Sequence, residues 1–361
     1  MHKNSTKWEL VGSPITINKT VIKNRLTMAP TVKFDYAGED GKVTSKHIEH
    51  YKERAEHGVG LICVEATAVT PSGRFWKNHM GLWEDEQIKG HKEIVKACHD
   101  NETAVIIQLN HTGIVSNPDC GKMIGPSAVP TRDENVYSRE MSIEEIHEMQ
   151  TKYVEAAIRA KEAGYDGIQL HGCHGYLINQ FISKKTNHRK DEYGGDAKNR
   201  ARFATEIIQK IRAKCGEDFL ISVRTAGVEP TVDEAIKIAD EYVKASCNYL
   251  QVSTGIEWDD SSVKARNPVY NDICELGVRF HEHFKDIVPV SCVNGLLAPD
   301  AVRYLIENKL VDTVDLGRAL LADPSFSEAV LESKSFVKCY NCLRCQYGPG
   351  MPHKCPAALK R

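Results

Sequence analysis

What the chain lacks narrows its class first. It carries no large charge of either sign: 47 Lys and Arg stand against 49 Asp and Glu, a formal net charge of −2. Neither nucleic acid nor an anionic membrane is therefore expected as a partner. No apolar run approaches the roughly 18–20 residues of a membrane span. The opening stretch from Met1 to Leu10 is polar and charged, without the apolar core of a secretory signal. A cytoplasmic location is expected. No Gly-x-Gly-x-x-Gly fingerprint follows a strand-like segment, which disfavours a doubly wound dinucleotide fold. Internal repeats and low-complexity linkers are also missing. What remains is a chain of 361 residues, 41% hydrophobic and 27% charged, able to bury a sizeable core as one large domain or two ordinary ones.

Cysteine, in contrast, is plentiful, with twelve in all. Eight are scattered singly from Cys63 to Cys292, mostly inside apolar segments, and read as reduced, buried small residues. The other four, Cys339, Cys342, Cys345 and Cys355, crowd into the tail. That asymmetry argues against a disulfide framework and for a metal-type site at one end.

Between these extremes the chain alternates. Strand-like segments begin near Arg25, Leu61, Ala104, Gly167, Phe219, Tyr249, Val288 and Val311. Helical segments follow them, the clearest opening at Ser142, where Ser142 and Glu145 have capping-box spacing and Gly164 ends an apolar pattern of helical period. Short continuous apolar strands imply a parallel sheet buried on both faces. Eight such units predict an α/β fold, a (β/α)8 TIM barrel over residues 1–335, followed by a Cys-rich tail over 336–361. Residues 110–140 form a long loop rich in Gly and Pro, a length that usually carries function.

In such a barrel the active site lies at the strand C-termini. The residues expected there are Ala29-Pro30-Thr31, Glu65-Ala66-Thr67, Gln108 with His111, His171 with His174, Arg224, Ser253-Thr254-Gly255, Asn294-Gly295 and Gly317-Arg318. The last two pairs are Gly-containing turns before helices, beside a basic residue, and suit a phosphate after strands seven and eight. The fourth strand delivers the densest set. Gly167 to Phe181 reads GIQLHGCHGYLINQF, a buried strand breaking into a turn that shows His171, Cys173, His174 and Tyr176, with Gly172 and Gly175 expected to allow the tight backbone. Two imidazoles and a phenol at a strand end suit hydrogen-bond donation better than packing.

Several longer blocks resemble the old yellow enzyme family of flavin-dependent ene-reductases. They are Asn24 to Pro30, Gln108 to His111, His171 to Phe181, Asn187 to Gly195 with Asn199-Arg200, Val293 to Gly295, and Leu316 to Leu320 with Ala322 to Pro324. The resemblance implies FMN at the barrel mouth, with NADH or NADPH as reductant. It places Ala29, Pro30, Thr31 and Ala66 along the flavin, Gln108 at its pyrimidine edge and Arg224 near N1 and O2. Asn294, Gly295, Gly317 and Arg318 fall to the phosphate. His171 and His174 would donate to the carbonyl oxygen of a small-molecule unsaturated carbonyl substrate, and Tyr176 would protonate its alpha carbon. The chain departs from the family at Val32, where a Thr or Cys usually faces flavin O4, and at Phe34, where some relatives have Tyr.

The tail spacing, Cys339-x2-Cys342-x2-Cys345-x9-Cys355, suits an iron–sulfur cluster or a tetrahedral zinc. It is similar to the cluster region of the larger relatives resembling 2,4-dienoyl-CoA reductase, where a four-iron [4Fe-4S] group follows the barrel. With six residues after Cys355, a largely structural centre is expected. Two other readings stay open at this level. One is a flavin-dependent amine dehydrogenase or demethylase, which would not need the His171/His174 pair. The other is a metal-dependent barrel lyase or hydrolase using those two histidines as ligands. A homo-oligomer is also left open.

Overall fold

Eight strands close into one parallel barrel in strict chain order. The computed structural model describes residues 8–259, 261–342, 345–347 and 355–358. Its barrel strands are β1 (Leu26–Met28), β2 (Leu61–Ala68), β3 (Ala104–Asn110), β4 (Gly167–Gly172), β5 (Leu220–Ala226), β6 (Tyr249–Ser253), β7 (Val290–Val293) and β8 (Thr313–Leu316). Each pairs with the next, and β8 returns to β1 through Leu316 and Met28. Between and after them run α1 (Ser45–Glu56), α2 (Ile88–His99), α3 (Ile143–Ala163), α4 (Ala197–Cys215), α5 (Val232–Lys244), α6 (Asp272–Phe284), α7 (Pro299–Glu307) and α8 (Phe326–Glu332). Among the described residues no helix is long and apolar enough to cross a membrane.

The caps predicted for the helices form. Ser142 Oγ accepts the Glu145 N–H at 3.3 Å while the Glu145 carboxylate accepts the Ser142 N–H, and Gly164 ends the helix at φ 95°. Thr231 Oγ1 accepts from Glu234 in the same way. Strand limits differ from the expectation where a side chain or a missing N–H intervenes. Pro289 cannot donate to a ladder, and β7 starts one residue later, at Val290. β2 runs on to Ala68 through a register shift between Val64 and Thr67. The shift re-aims Glu65 and Ala66, as bulges near active sites do.

Period-two alternation divides the barrel interior into layers. At the bottom Leu61, Cys63, Ala104, Ile106, Leu220 and Tyr249 pack on Ile17 and Ile22 of a small hairpin that plugs the barrel. One step higher the inward residues turn polar. At the top they face the βα loops, where the site is built. The long loop 110–140 is itself folded, with a short turn at Gly113–Val115 and a two-residue ladder between Ile124–Gly125 and Arg139–Glu140.

Candidate active site

The strand ends converge on a cavity of about 260 Å³ at the barrel mouth. Ala29, Pro30 and Thr31 border one side, where Pro30 stops β1. Arg224, Ser253 and Thr254 come from β5 and β6. The turns Asn294-Gly295 and Gly317-Arg318, after β7 and β8, close the far end. Asn294 and Gly295 both have positive φ, 90° and 67°. A Cβ on Gly295 would stand 2.3 Å from the Asn271 amide nitrogen, so the close approach requires glycine. Arg318 donates to Asn294 Oδ1 at 3.3 Å and to Asn341 Oδ1 in the tail. The cavity therefore offers one cation at its centre and another at its glycine-lined end.

Two buried polar atoms at this cavity have no partner among the described residues, Arg224 Nε and Asp315 Oδ2. Buried polar groups are normally satisfied, so a ligand that accepts from Arg224 completes the site. FMN fits that donor set: its phosphate matches Gly295, Gly317 and Arg318, and the carbonyl-bearing edge of its ring matches Arg224. Asp315 is the residue here that motif reading missed. Burial pushes its carboxyl up to about 7, against the opposing pull of Arg224. The signal was its inward phase on β8.

Asp315 belongs to a polar layer below the cavity. Gln251 donates to its Oδ1 at 2.9 Å, Gln169 donates to Gln251 Oε1, and Gln108 donates to Gln169 Oε1 at 2.7 Å. Gln108, expected at the flavin edge, gives one of its two amide N–H groups to Gln169. Ala66 is buried beside it, its carbonyl 2.6 Å from His79 Nε2.

The turn after β4 adds the substrate-facing groups. His174 and Gly175 carry its positive φ values, 61° and 76°, and not Gly172, which remains in the strand. His171 Nε2 lies 3.1 Å from His174 Nδ1, and His174 Nε2 lies 2.8 Å from Ser253 Oγ. The Tyr176 ring meets the His171 ring edge-on, with centroids 4.7 Å apart. Burial and the positive charge of Arg224 lower His174 to about 3. Burial, His174 and Arg224 lower His171 well below the usual range. Both imidazoles are neutral at pH 7, each with one N–H to give. Burial raises the Tyr176 phenol, which keeps its proton.

Behind the loop that carries Pro30 and Thr31 two titratable residues, Lys33 and Glu65, are buried together. The Glu65 carboxylate accepts the Lys33 backbone N–H and the Tyr51 hydroxyl, the latter at 3.3 Å. Lys33 is 1% exposed, its Nζ 4.3 Å from the centre of the Tyr347 ring in the tail. Burial lowers the lysine and raises the carboxyl toward each other. The β2 register shift makes this contact, which ties the cavity wall to the barrel.

The tail cysteines, expected to hold one metal centre together, are free thiols of differing exposure. Cys342 is exposed and Cys339, Cys345 and Cys355 are half-buried. Among the described residues the one group of three metal-capable atoms within 4.8 Å of one another is His171, Cys173 and His174. Burial pushes the Cys173 thiol up to about 12, so it is not a ready thiolate ligand.

The parallel barrel thus gathers two arginines and glycine turns at its mouth and a His/His/Tyr cluster at its rim, and its likeness to known proteins assigns this arrangement to the flavin oxidoreductases. The profile of the NADH:flavin oxidoreductase / NADH oxidase family matches residues 11–335, and the chain belongs to that family, the old yellow enzymes. It is 34% identical over 330 residues to the NADPH dehydrogenase of Bacillus cytotoxicus, covering 90% of this chain and 92% of the relative. It is 36% identical over 341 residues to the NADH oxidase of Thermoanaerobacter brockii, of which it spans 52%. Among solved structures, a 2-naphthoyl-CoA reductase in complex with 2-naphthoyl-CoA superposes with a TM-score of 0.85 at 27% identity, over 93% of this chain and 54% of that one. An old yellow enzyme homologue from Zymomonas mobilis gives 0.77 at 26% identity, over 92% of this chain and 95% of that one. The protein is an FMN-dependent NAD(P)H oxidoreductase of this family.

Proposed function

We propose that the enzyme reduces the C=C bond of alpha,beta-unsaturated carbonyl compounds with NAD(P)H. The observation that carries the reading is the His171/His174 pair, two neutral imidazole nitrogens 3.1 Å apart, with the Tyr176 hydroxyl-bearing ring against them at the rim of the cavity. Bound FMN supplies the hydride, and a single site serving reductant and substrate in turn gives ping-pong kinetics. His171 and His174 hold the carbonyl oxygen and stabilise the negative charge that develops on it, as an oxyanion hole does. Ser253 orients His174 through its Nε2. Tyr176, protonated at neutral pH, delivers the proton to the alpha carbon. Arg224 would face the ring of bound FMN and Arg318 would hold its phosphate, with Ala29, Pro30, Thr31, Asn294, Gly295 and Gly317 completing the cradle. Gln108 would hydrogen-bond the pyrimidine edge of the bound flavin, and Ala66 would pack near its ring. The 2-naphthoyl-CoA bound by one solved relative is a conjugated carbonyl compound, in keeping with this substrate class. Oxidation of an amine would leave the imidazole pair without a carbonyl to hold.

Steady-state assays of an enone panel with NADH and NADPH test the proposal. Saturated ketones are the expected products, with parallel reciprocal plots. Turnover of NAD(P)H with oxygen alone, and none with any enone, would reject it.

The division into a barrel, 1–335, and a Cys-rich tail, 336–361, accompanies this reading. Cys339, Cys342, Cys345 and Cys355 would hold one metal centre, which requires the tail thiols to draw together around it. Metal analysis after anaerobic purification distinguishes the alternatives: about four iron with sulfide, about one zinc, or neither.

A further inference from the structure

Beside Tyr176, and outside the mouth cavity, a cleft of about 560 Å³ runs between the long loop 110–140 and the Phe75-Trp76 turn. Its walls are largely apolar, with Phe75, Trp76, Ile114, Met123 and Val136 among them. We infer that this cleft seats the distal part of the substrate, selecting conjugated carbonyl compounds with an aryl-sized apolar body that ends in an anionic group recognised by Arg132. The inference rests on the carbonyl-reducing reading above and adds the substrate class to it.

Three observations support this occupant. First, the cleft is continuous with the reacting end. The Phe75 ring lies edge-on to Tyr176, with centroids 6.3 Å apart, and Phe34 reaches both Phe75 and Trp76 at 6.4 and 6.5 Å. A flat apolar group attached at the beta carbon of a carbonyl held by His171 and His174 thus meets an unbroken aromatic wall. Second, the cleft is lined by a single cation. The Arg132 guanidinium stacks on Phe75, 4.5 Å from its centroid, and makes no ion pair among the described residues. Third, the neighbouring carboxylate, Asp133, turns to Asn135 and makes no ion pair with Arg132 among the described residues. Asp133 Oδ1 accepts both the Asn135 backbone N–H at 3.0 Å and its side-chain amide at 3.2 Å. An arginine held over a ring with its donors free is suited to a carboxylate or phosphate. A reduced nicotinamide dinucleotide also carries phosphates, so the test must separate the two sources.

The experiment uses the FMN-loaded enzyme and three probes: cyclohexenone, a benzylideneacetone with a para-carboxylate, and its methyl ester. The wild type should reduce the carboxylate with a KM about tenfold below that of the ester, the size of one charge-assisted contact. Arg132→Gln should erase that difference while leaving KM for the ester, kcat for cyclohexenone and the rate of flavin reduction by NADPH within about twofold. Met123→Trp, which fills the cleft, should raise KM for both aryl compounds and not for cyclohexenone. Titration of the flavin absorbance with the carboxylate reads binding directly and holds even where no enone turns over, which separates failure of the reaction assigned to the site from failure of the cleft assignment. Equal affinity of wild type and Arg132→Gln for the carboxylate would overturn the inference. So would an Arg132→Gln defect confined to NADPH, which would assign the cation to the dinucleotide.

Discussion

Replacing both His171 and His174 with Ala is expected to slow enone reduction by at least about 10²-fold, since loss of one oxyanion donor alone costs on the order of 10²–10³. The two rings act as a unit, with His171 Nε2 and His174 Nδ1 facing each other across 3.1 Å and Ser253 fixing the far side of His174. Burial and Arg224 keep both neutral, so the donors do not change protonation across the working range of pH. Binding of phenolic ligands, read from the flavin spectrum, should be lost with the activity. Reduction of the flavin by NAD(P)H should suffer far less, because it develops no charge on a carbonyl oxygen at that position. His174→Asn restores a donor without an imidazole and should recover much of the rate. Wild-type enone turnover in the double variant would remove these residues from the substrate site.

Acid is expected to unfold the protein well above the pH at which ordinary carboxylates titrate. Five histidines away from the reacting pair are buried and neutral. Burial holds His79, His91 and His111 at about 4, His47 at about 3, and His50 well below the usual range. In the unfolded chain each titrates near 6.5. Depressed folded values mean stability that is fully present above about 6.5 and lost as pH falls toward 4. Three carboxyls act in the opposite sense: burial raises Glu229 and Asp315 to about 7 and raises Glu65 as well. Their contribution is present below about 4.5 and lost as pH rises through 7. With His171 and His174 counted, seven imidazoles against three carboxyls leave a net uptake of about four protons on unfolding near pH 5.5, or roughly 5 kcal/mol per pH unit. Urea melts at pH 7 and pH 5.5 check this. The midpoint should drop sharply at the lower pH, and an unchanged or rising midpoint would show that these histidines are not buried neutral.

The barrel was legible because its determinants are local. Each strand is a short apolar run, several helices carry their own side-chain cap, and the alternation repeats eight times. The strand-end residues were legible for the same reason: once the strands are counted, the topology decides that Thr31, Arg224, Ser253, Asn294 and Arg318 must meet. What escaped were pairings that depend on phase across the barrel. The Gln108–Gln169 contact is one, visible only when inward residues of adjacent strands are set side by side. Asp315 and Gln251 escaped in the same way. Lys33 escaped because Glu65, which accepts its backbone N–H, lies in the register shift between Val64 and Thr67, and a one-residue slip in pairing leaves no mark in the sequence. Of the two glycines expected to allow the tight turn, Gly175 takes a left-handed φ of 76°, while the other left-handed position falls to His174 at 61° and not to Gly172.

The central claim is best tested in one turnover without oxygen. The purified enzyme is reduced with NADPH until the flavin absorbance bleaches, then mixed in deuterated water with cyclohexenone. The account predicts that the yellow absorbance returns and that the cyclohexanone formed carries one solvent deuterium at the alpha carbon, with the beta hydrogen drawn from the reductant. A flavin that stays bleached in the presence of enone, and recovers only when oxygen is admitted, would contradict it.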